Sequence, residues 1–303
     1  MDTVIADWTD RNAAAFGSDV LPFRHVLHQR PMFSDTALAE VLDRYPRDKL
    51  GVFTMGVDLT DWRSWRRGEA GDLSGAELMQ AVSAGRLWLN LRHANQHLPE
   101  YAALCAEICE DKERHVPGLK TLRRDLGLLI SSPRAHVFYH LDVPLSSLWQ
   151  VRGHKRIWFY PRSEPYVADA QIERFVRRQA EGQLAFRPEW DAAARALDLK
   201  PGDMVNVSLS LEFMTPAALF RADVLYANGL LRQYLGWNAG VQTDWGPAAA
   251  AKLAIAGVAK AARRWRKPRP ILPACFMVEP PPPEIEQIQA VRGRRRAAAH
   301  APA

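Results

Sequence analysis

The sequence predicts a mainly β protein with flanking helices, and three patterns carry this prediction. Residues 134–160 alternate apolar and polar side chains and are rich in Val, Ile, Phe, Trp and Tyr, which indicates two or three short antiparallel strands joined by turns. Residues 205–213 alternate in the same way and predict one later strand. Apolar residues at helical spacing on either side of these stretches predict helices that pack on the sheet.

The N-terminal part of the chain predicts helices separated by short strands. Residues 34–45 carry an apolar helical stripe, and Ser34 or Asp35 is suited to cap its N-terminus. Residues 51–57 are strand-like, and a second helix is expected to begin at Ser74. These elements precede the alternating stretch.

The middle of the chain continues this alternation. Residues 87–91 predict a strand or a strand-to-helix junction, and residues 99–113 predict a helix. Cys105 and Cys109 are four residues apart on one face of that helix, and we interpret them as buried packing residues. The apolar run at 127–131 predicts the strand that leads into the alternating stretch.

The C-terminal part is predominantly helical. Residues 163–198 are polar and helical in pattern, consistent with an insertion between strands. Residues 215–236 predict a long helix with Pro216 in its first turn and Gly236 as its C-cap.

The predicted domain organisation has three parts. Residues 1–240 form the main domain, residues 246–268 a basic, alanine-rich helix, and residues 269–303 a low-complexity tail rich in Pro and Arg. The tail contains the basic run RGRRR at 292–296, which predicts either a solvated segment or a contact with nucleic acid.

Composition restricts the class of protein. The chain has 303 residues, 48% apolar residues, a net charge of +6 and three cysteines, which indicates a reducing compartment and no disulfide framework. The N-terminus lacks the basic and apolar regions of a signal peptide, and no apolar run approaches the roughly 18 residues needed to span a bilayer. We therefore expect a cytoplasmic protein with no membrane partner.

The residues that carry chemistry lie in the alternating stretch. His140 and Asp142 are two residues apart, so on a strand both side chains would face the same way. A His and a carboxylate make up two thirds of the facial triad that holds non-haem Fe(II). Lys155 follows Asp142 by thirteen residues, behind a turn at Gly153, and its ammonium group could bind an acidic co-substrate.

Residues 132–161 resemble the JmjC-like, or cupin-like, branch of the Fe(II)/2-oxoglutarate oxygenases, which includes the asparaginyl hydroxylases. The resemblance rests on the HLD motif, the gap to the lysine and the run LWQVRGHKRIWFYP. It implies a double-stranded β-helix core of the cupin or jelly-roll kind, a dioxygenase activity, and iron and 2-oxoglutarate as cofactors. It also implies that His140 and Asp142 bind the metal, that Lys155 binds the 2-oxoglutarate carboxylate, that the substrate is a small molecule or a protein, and that the chain forms a homodimer.

The third metal ligand of that family is missing from its expected place. The family pattern has a distal His soon after a Pro-Gly-Asp turn; the turn is present at 201–203, but no His follows it before His300. We interpret this as the loss of one hairpin between Met204 and Asn206, which would truncate the core.

Three side chains, or a water molecule, are candidates to replace the missing ligand: His136, His154 and Glu212. On a continuous strand His136 would lie about 13 Å from His140, too far to share one metal. His154 lies in the turn beside Lys155, and Glu212 lies on the late strand.

Two other groups of residues are weaker functional candidates. Trp62 and Trp65 are interleaved with arginines, a pattern of nucleic-acid or acidic-peptide sites. We favour the simpler interpretation, an exposed helical turn with its tryptophans folded inward, because the pattern covers only one turn. Asn90, Arg92 and His93 follow a predicted strand on which substrate-side residues could lie.

Three functions therefore remain open on sequence alone: an Fe(II)/2-oxoglutarate oxygenase with an incomplete triad, a non-catalytic cupin-like module that binds a small acid or a partner protein, and a regulator that contacts nucleic acid through its basic C-terminus.

Overall fold

The computed structural model describes residues 3–58, 60–142, 145–178, 184–200, 205–241, 244–263 and 274–279. The turn at 201–203, the end of the predicted basic helix and the run at 292–296 lie outside the described residues. The loss of a hairpin beside Met204 borders one of these gaps and stays a prediction, as does the division into three domains.

Within the described residues the α-helices are α1 (Asp10–Ala14), α2 (Asp35–Arg44), α3 (Gly75–Ala84), α4 (Ala94–His97), α5 (Pro99–His115), α6 (Asp169–Val176), α7 (Pro216–Leu235) and α8 (Pro247–Arg263). The strands are β1 (Gly51–Thr54), β2 (Arg66–Glu69), β3 (Leu87–Leu91), β4 (Leu122–Ser131), β5 (Leu145–Arg152), β6 (Lys155–Phe159), β7 (Arg195–Leu199), β8 (Asn206–Met214) and β9 (Phe276–Met277). None of these helices combines the length and the apolar composition of a bilayer-crossing segment.

Seven strands form one sheet in the order β5-β8-β4-β3-β1-β2-β9, and β6 pairs with β7 in a second sheet. The pairs are antiparallel except for β2 with β9, which is parallel. A mixed seven-stranded sheet with flanking helices agrees with the predicted mainly β class. β9 belongs to the predicted tail, and its backbone joins the sheet beside β2.

Local sequence explains where the N-terminal helices begin. Ser34 accepts a hydrogen bond from Ala37 N and caps α2, as predicted. At α3 the Ser74 hydroxyl and the Glu77 carboxylate form a capping box, in which each accepts from the backbone N–H of the other residue. Both helices therefore start where their N–H groups find side-chain partners.

The apolar core lies between one face of the large sheet and helices α2, α3 and α5. Alternate residues of β8 enter it: Val207, Leu209, Leu211 and Phe213. Because side chains alternate along a strand, the intervening residues of β8 face away from this core.

The N-terminal segment is held against α5 by a buried carboxylate. Asp111 is fully buried and accepts hydrogen bonds of 2.8 Å from Val4 N and of 2.8 Å from Ile5 N. The Thr3 hydroxyl donates to the same carboxylate at 3.1 Å, and the Arg114 guanidinium contacts it at 2.7 Å. The carboxylate thus pairs backbone donors that the apolar core would otherwise leave unsatisfied.

Lys112, the next residue of α5, is buried among aromatic rings. Its Nζ lies 5.0 Å from the ring centroid of Trp149, 5.1 Å from that of Phe23 and 5.9 Å from that of Phe16. These distances allow cation–π attraction, which offsets part of the cost of burial. Burial lowers the pKa of Lys112 to about 8.

The strand predicted to carry His140 is not observed. Among the described residues of 133–142 the backbone forms no strand, and His140 takes part only in an isolated bridge. The reason lies in the topology: both edges of β4 are occupied, by β3 and by β8, so the chain that leaves β4 has no free edge beside it. β5 and β6 account for the other two predicted strands, but Gly153, with φ of 76°, turns the chain between them into a different sheet.

The helical prediction for 163–198 is right for α6 and wrong at its C-terminal end. Residues Pro188–Ala193 form a 3-10 helix, and β7 follows and pairs with all five residues of β6. The backbone groups of β6 gain hydrogen bonds from this pairing, which overrides the helix preference of the alanine-rich run.

The C-terminal helices follow the sequence closely. α7 begins at Pro216 and ends at Leu235, and the next residue, Gly236, is its C-cap, with a left-handed φ of 65°. Glu173 of α6 is buried and accepts two hydrogen bonds, of 2.7 Å and 3.2 Å, from the Arg232 guanidinium of α7. This ion pair fixes α6 against α7.

Replacing Gly75 with alanine is expected to destabilise the protein by about 1–3 kcal/mol, because the new Cβ would lie 1.9 Å from the Ala39 carbonyl oxygen of α2. Urea unfolding would measure the change. Gly257→Ala is the matched control: a Cβ at Gly257 in α8 meets nothing within 4 Å, and the change should stabilise by about 0.5–1 kcal/mol. Equal stability of Gly75→Ala and the unaltered protein would contradict the close approach of α2 and α3.

Candidate functional site

The face of β8 that points away from the apolar core carries polar side chains: Asn206, Ser208, Ser210 and Glu212. Ser208 is opposite Gln150 of β5. Ser208 is 0% exposed, Asn206 is 5% exposed and Gln150 is 4% exposed. A second layer must therefore cover this face, and its polar groups need partners within the protein.

Lys155 of β6 belongs to that covering layer. Its Nζ donates to Ser208 Oγ at 3.1 Å, and Ser208 Oγ donates to Gln150 Oε1 at 2.7 Å. Gln150 Nε2 donates to Asn206 Oδ1 at 3.1 Å and to the Arg152 carbonyl at 2.5 Å. The lysine predicted as an acid ligand therefore reaches the enclosed face of the sheet at the end of a hydrogen-bonded chain.

The charge of Lys155 has no counter-ion in the part of the chain that the structure describes. Ser208, which is neutral, is its hydrogen-bond partner, and burial alone lowers the pKa of Lys155 to about 8. An enclosed ammonium group without a carboxylate partner costs free energy. An anionic ligand at this point would offset that cost.

His140 and Asp142 lie close together although they are not on a strand. His140 Nε2 is 3.8 Å from Asp142 Oδ2, and the side chains are 44% and 46% exposed. His140 Nδ1 lies 2.8 Å from the Phe138 carbonyl oxygen. A carbonyl only accepts, so Nδ1 carries the proton in this contact, and in the neutral imidazole the lone pair is on Nε2, the nitrogen nearer to the carboxylate.

The histidines considered for the missing ligand lie elsewhere. His154 Nε2 is 3.7 Å from Asp198 Oδ1 of β7 and is half-exposed. His136 packs edge-on against the Phe138 ring with centroids 4.8 Å apart, and burial lowers its pKa. Neither histidine is placed to complete a site with His140 and Asp142.

Glu212 is the candidate that shares an environment with Asp142. It lies opposite Asp125 on β4 and Ser146 on β5. Burial raises the pKa of Glu212, and the charges of Asp142 and Asp125 raise it further. Even so, no three His, Cys, Asp or Glu side chains among the described residues are grouped to hold a metal. The described residues therefore do not fit a three-ligand iron site.

Of the weaker candidates, His93 lies on the same side of the sheet as Glu212. Its backbone is left-handed, with φ of 57°, and its Nδ1 lies 2.7 Å from Asp125 Oδ2. Asn90 is on β3 opposite Leu129, and the Arg92 carbonyl accepts from a tyrosine hydroxyl. The His93 ring thus lies against the Asp125 carboxylate.

The tryptophans of 62–65 separate in the structure. Trp62 is partly exposed, with the Arg63 guanidinium 5.3 Å from its ring centroid. Trp65 packs with Phe53 and Trp88, in each case with ring centroids 5.0 Å apart. The interleaved motif therefore does not present two aromatic rings side by side.

Ser208, Gln150 and Asn206 are site residues that the sequence argument missed. The alternation of polar and apolar residues in 206–213 is visible in the sequence and could have indicated a polar enclosed face. What the sequence does not show is that β6 leaves the large sheet and that its Lys155 reaches this face.

No protein-family model matches the chain, and no curated protein matches it. Among the solved structures that resemble the chain are structures of an Escherichia coli protein. An X-ray structure of ycfD has 16% sequence identity and a TM-score of 0.46, over 97% of this chain and 80% of that chain.

Two further structures describe the ribosomal oxygenase YcfD. One has 16% identity and a TM-score of 0.38, over 80% of this chain and 62% of that chain. The other, in complex with cobalt and 2-oxoglutarate, has 17% identity and a TM-score of 0.38, over 89% of this chain and 72% of that chain. At identities and TM-scores this low, the likeness establishes neither a family nor a function.

Proposed function

We propose that this chain binds a small dicarboxylic acid of the 2-oxoglutarate type, with Lys155 holding one carboxylate. The observation that carries the proposal is the ammonium group of half-buried Lys155, which donates to the buried Ser208 hydroxyl and has no carboxylate partner among the described residues. A carboxylate that enters this space would form charge-assisted hydrogen bonds in a setting of low dielectric.

The sequence resemblance supplies the identity of the acid. In the JmjC-like oxygenases that the stretch 132–161 resembles, the matching lysine binds 2-oxoglutarate. We thus propose that the protein is a cupin-like relative of the Fe(II)/2-oxoglutarate hydroxylases and that its metal triad is incomplete. Its place in the asparaginyl-hydroxylase-like branch, its substrate and its homodimer stay predictions.

Calorimetric titration in the presence of EDTA would test the proposal without any metal. We expect saturable binding of 2-oxoglutarate and of succinate at pH 7. We expect 2-oxopentanoate, which lacks the distal carboxylate, to bind at least about tenfold more weakly, because one charge-assisted hydrogen bond is lost. Absence of saturable binding by either dicarboxylate would overturn the proposal.

A metal-dependent oxygenase is the second candidate, and the His140–Asp142 pair favours it. The tautomer of His140 leaves Nε2 free beside the carboxylate, so these two residues are suited to bind iron, whose chemistry in this family is oxidation of a substrate. Because the described residues supply no third ligand, we derive no catalytic step for this chain.

Anaerobic titration with Fe(II) and 2-oxoglutarate distinguishes the two candidates. We expect no visible charge-transfer band of the iron–2-oxoglutarate chelate, since two protein ligands rarely hold Fe(II) in a competent site. A saturable band that disappears in His140→Ala would instead show that a third ligand completes the site. The nucleic-acid hypothesis rests on residues 292–296, outside the described residues, and no contact described above favours it.

A further inference from the structure

We infer that Gln150 is a positioning residue for acid binding: it sets the orientation of the Ser208 hydroxyl and thereby fixes Lys155 on the enclosed face. The inference rests on the proposed function and deepens it. It follows from the directions of four hydrogen bonds in the network.

The neighbours of the Gln150 amide fix its orientation. One end of the amide lies 2.5 Å from the Arg152 carbonyl, which can only accept. That end must therefore be the NH2 group. The same group donates to Asn206 Oδ1 at 3.1 Å, so both of its protons are used, and the amide oxygen is turned towards Ser208.

Ser208 links Gln150 to Lys155. A serine hydroxyl has one proton, and Ser208 donates it to Gln150 Oε1 at 2.7 Å. A lone pair of Ser208 Oγ then accepts a hydrogen bond from Lys155 Nζ at 3.1 Å. Ser208 cannot donate to a ligand while it donates to Gln150. It acts as an acceptor that holds one N–H of the ammonium group, and the remaining two N–H groups of Lys155 are available to a carboxylate.

The network has no ready replacement for a lost hydrogen-bond partner. Gln150, Asn206 and Ser208 are almost fully buried, so bulk water does not replace a lost partner. Gln150 and Ser208 also occupy directly opposed positions on β5 and β8. Their hydrogen bond is therefore set by strand register as well as by side-chain rotamers.

The charged groups around Lys155 do not perform this role. On the small sheet His154 and Arg156 both contact Asp198, at 3.7 Å and 2.7 Å. Along β8 the nearest acid is Glu212, four residues and about 13 Å beyond Ser208. The neutral chain through Gln150 is thus the arrangement that fixes the lysine.

A double-mutant cycle tests the inference. Affinity for 2-oxoglutarate in EDTA is measured for Gln150→Met, Ser208→Ala and the double variant, with thermal unfolding as the check on folding. If Gln150 acts through Ser208, each single variant should lose roughly tenfold in affinity and the double variant should lose no more than either. Losses that multiply, or a Gln150→Met affinity within about twofold of the unaltered protein, would overturn it.

Gln150→Glu keeps the size of the side chain and provides a second measurement. Thermal unfolding checks that the protein tolerates the loss of the two donors to the Arg152 carbonyl and Asn206 Oδ1. A carboxylate beside Ser208 should favour the charged form of Lys155 and compete with the ligand for it. We expect weaker binding at pH 7 and a shift to higher pH of the alkaline loss of affinity. An unchanged pH limit would indicate a merely structural glutamine. The proposed function fails separately, if the unaltered protein binds no dicarboxylate.

Discussion

Lys155→Met should reduce the affinity for 2-oxoglutarate by about a hundredfold or more. Methionine keeps most of the side-chain length and removes the charge, so the loss reports the ammonium group rather than a cavity. Calorimetric titration in EDTA at pH 7 measures it. Lys120→Met is the matched control, because Lys120 is exposed, and it should leave the affinity unchanged.

The pH dependence of binding in the unaltered protein should identify the same group. Because burial lowers the pKa of Lys155 to about 8, the ammonium form is complete below that pH and is lost as the pH rises through it. Affinity should be flat between pH 6 and about pH 7 and should fall above pH 8. Affinity that persists at pH 10, or a Lys155→Met variant that binds normally, would show that the acid is held elsewhere.

The same substitution should stabilise the protein without ligand. The pKa of Lys155 is lower in the folded chain than its ordinary value of 10.5, so folding is opposed most strongly below pH 8, where the buried group is charged. Between pH 8 and 10.5 the unfolded chain binds more protons, and the unfolding free energy of the unaltered protein rises. Lys155→Met should therefore gain up to about 3 kcal/mol at pH 7, with the gain disappearing towards pH 10.5.

This opposition between binding and stability is the expected signature of a functional charge. Lys112 also has a lowered pKa, but it is present in both the unaltered protein and Lys155→Met. The difference between their unfolding free energies therefore reports Lys155 alone. A variant that loses stability at pH 7 would contradict the view that Lys155 is an uncompensated cation.

Local patterns predict the parts of this protein that depend on neighbours in sequence. The caps of α2 and α7 and the start of α5 follow from Ser34, Gly236 and Pro99, because each acts within one helical turn. The spacing to Asp142 predicts Lys155 as an acid ligand. The structure places its ammonium group beside Ser208, and the ligand role stays a prediction.

Long-range pairing explains where the sequence argument fails. The segment around His140 alternates like a strand, but β4 already has a partner on each edge. Residues 195–199 continue an alanine-rich run that prefers a helix, yet they form β7 and pair with β6. A local pattern cannot report which edges remain free, and so it cannot predict either outcome.

The hydrogen-bonded chain behind Lys155 illustrates the same limit at the site. Ser208 and Gln150 are far apart in sequence, and their roles as donor and acceptor depend on the register between β5 and β8. Alternation in 206–213 predicts that one face is polar. It does not predict that a lysine from another sheet ends on it.

Asp111→Ala is the second substitution expected to have a large effect, here on stability. Removal of the carboxylate leaves Val4 N and Ile5 N buried without their acceptor. Each unsatisfied buried donor costs about 1–3 kcal/mol, so the loss should be about 3–5 kcal/mol. Urea unfolding at pH 7 measures it, and Glu110→Ala, at an exposed position one residue earlier on α5, should change stability by less than about 0.5 kcal/mol.

The contribution of Asp111 should also depend on pH with a definite sign. Burial by itself would raise the pKa of Asp111, but hydrogen bonds from Ile5 N, Arg114, Thr3 and Val4 N outweigh it and lower the pKa below its usual value. The stabilisation is therefore complete above the ordinary carboxyl pKa and is lost as the pH falls through the lower folded value. The difference in unfolding free energy between the unaltered protein and Asp111→Ala should decrease only in strong acid. A difference that already closes between pH 7 and pH 5 would contradict the lowered pKa of Asp111.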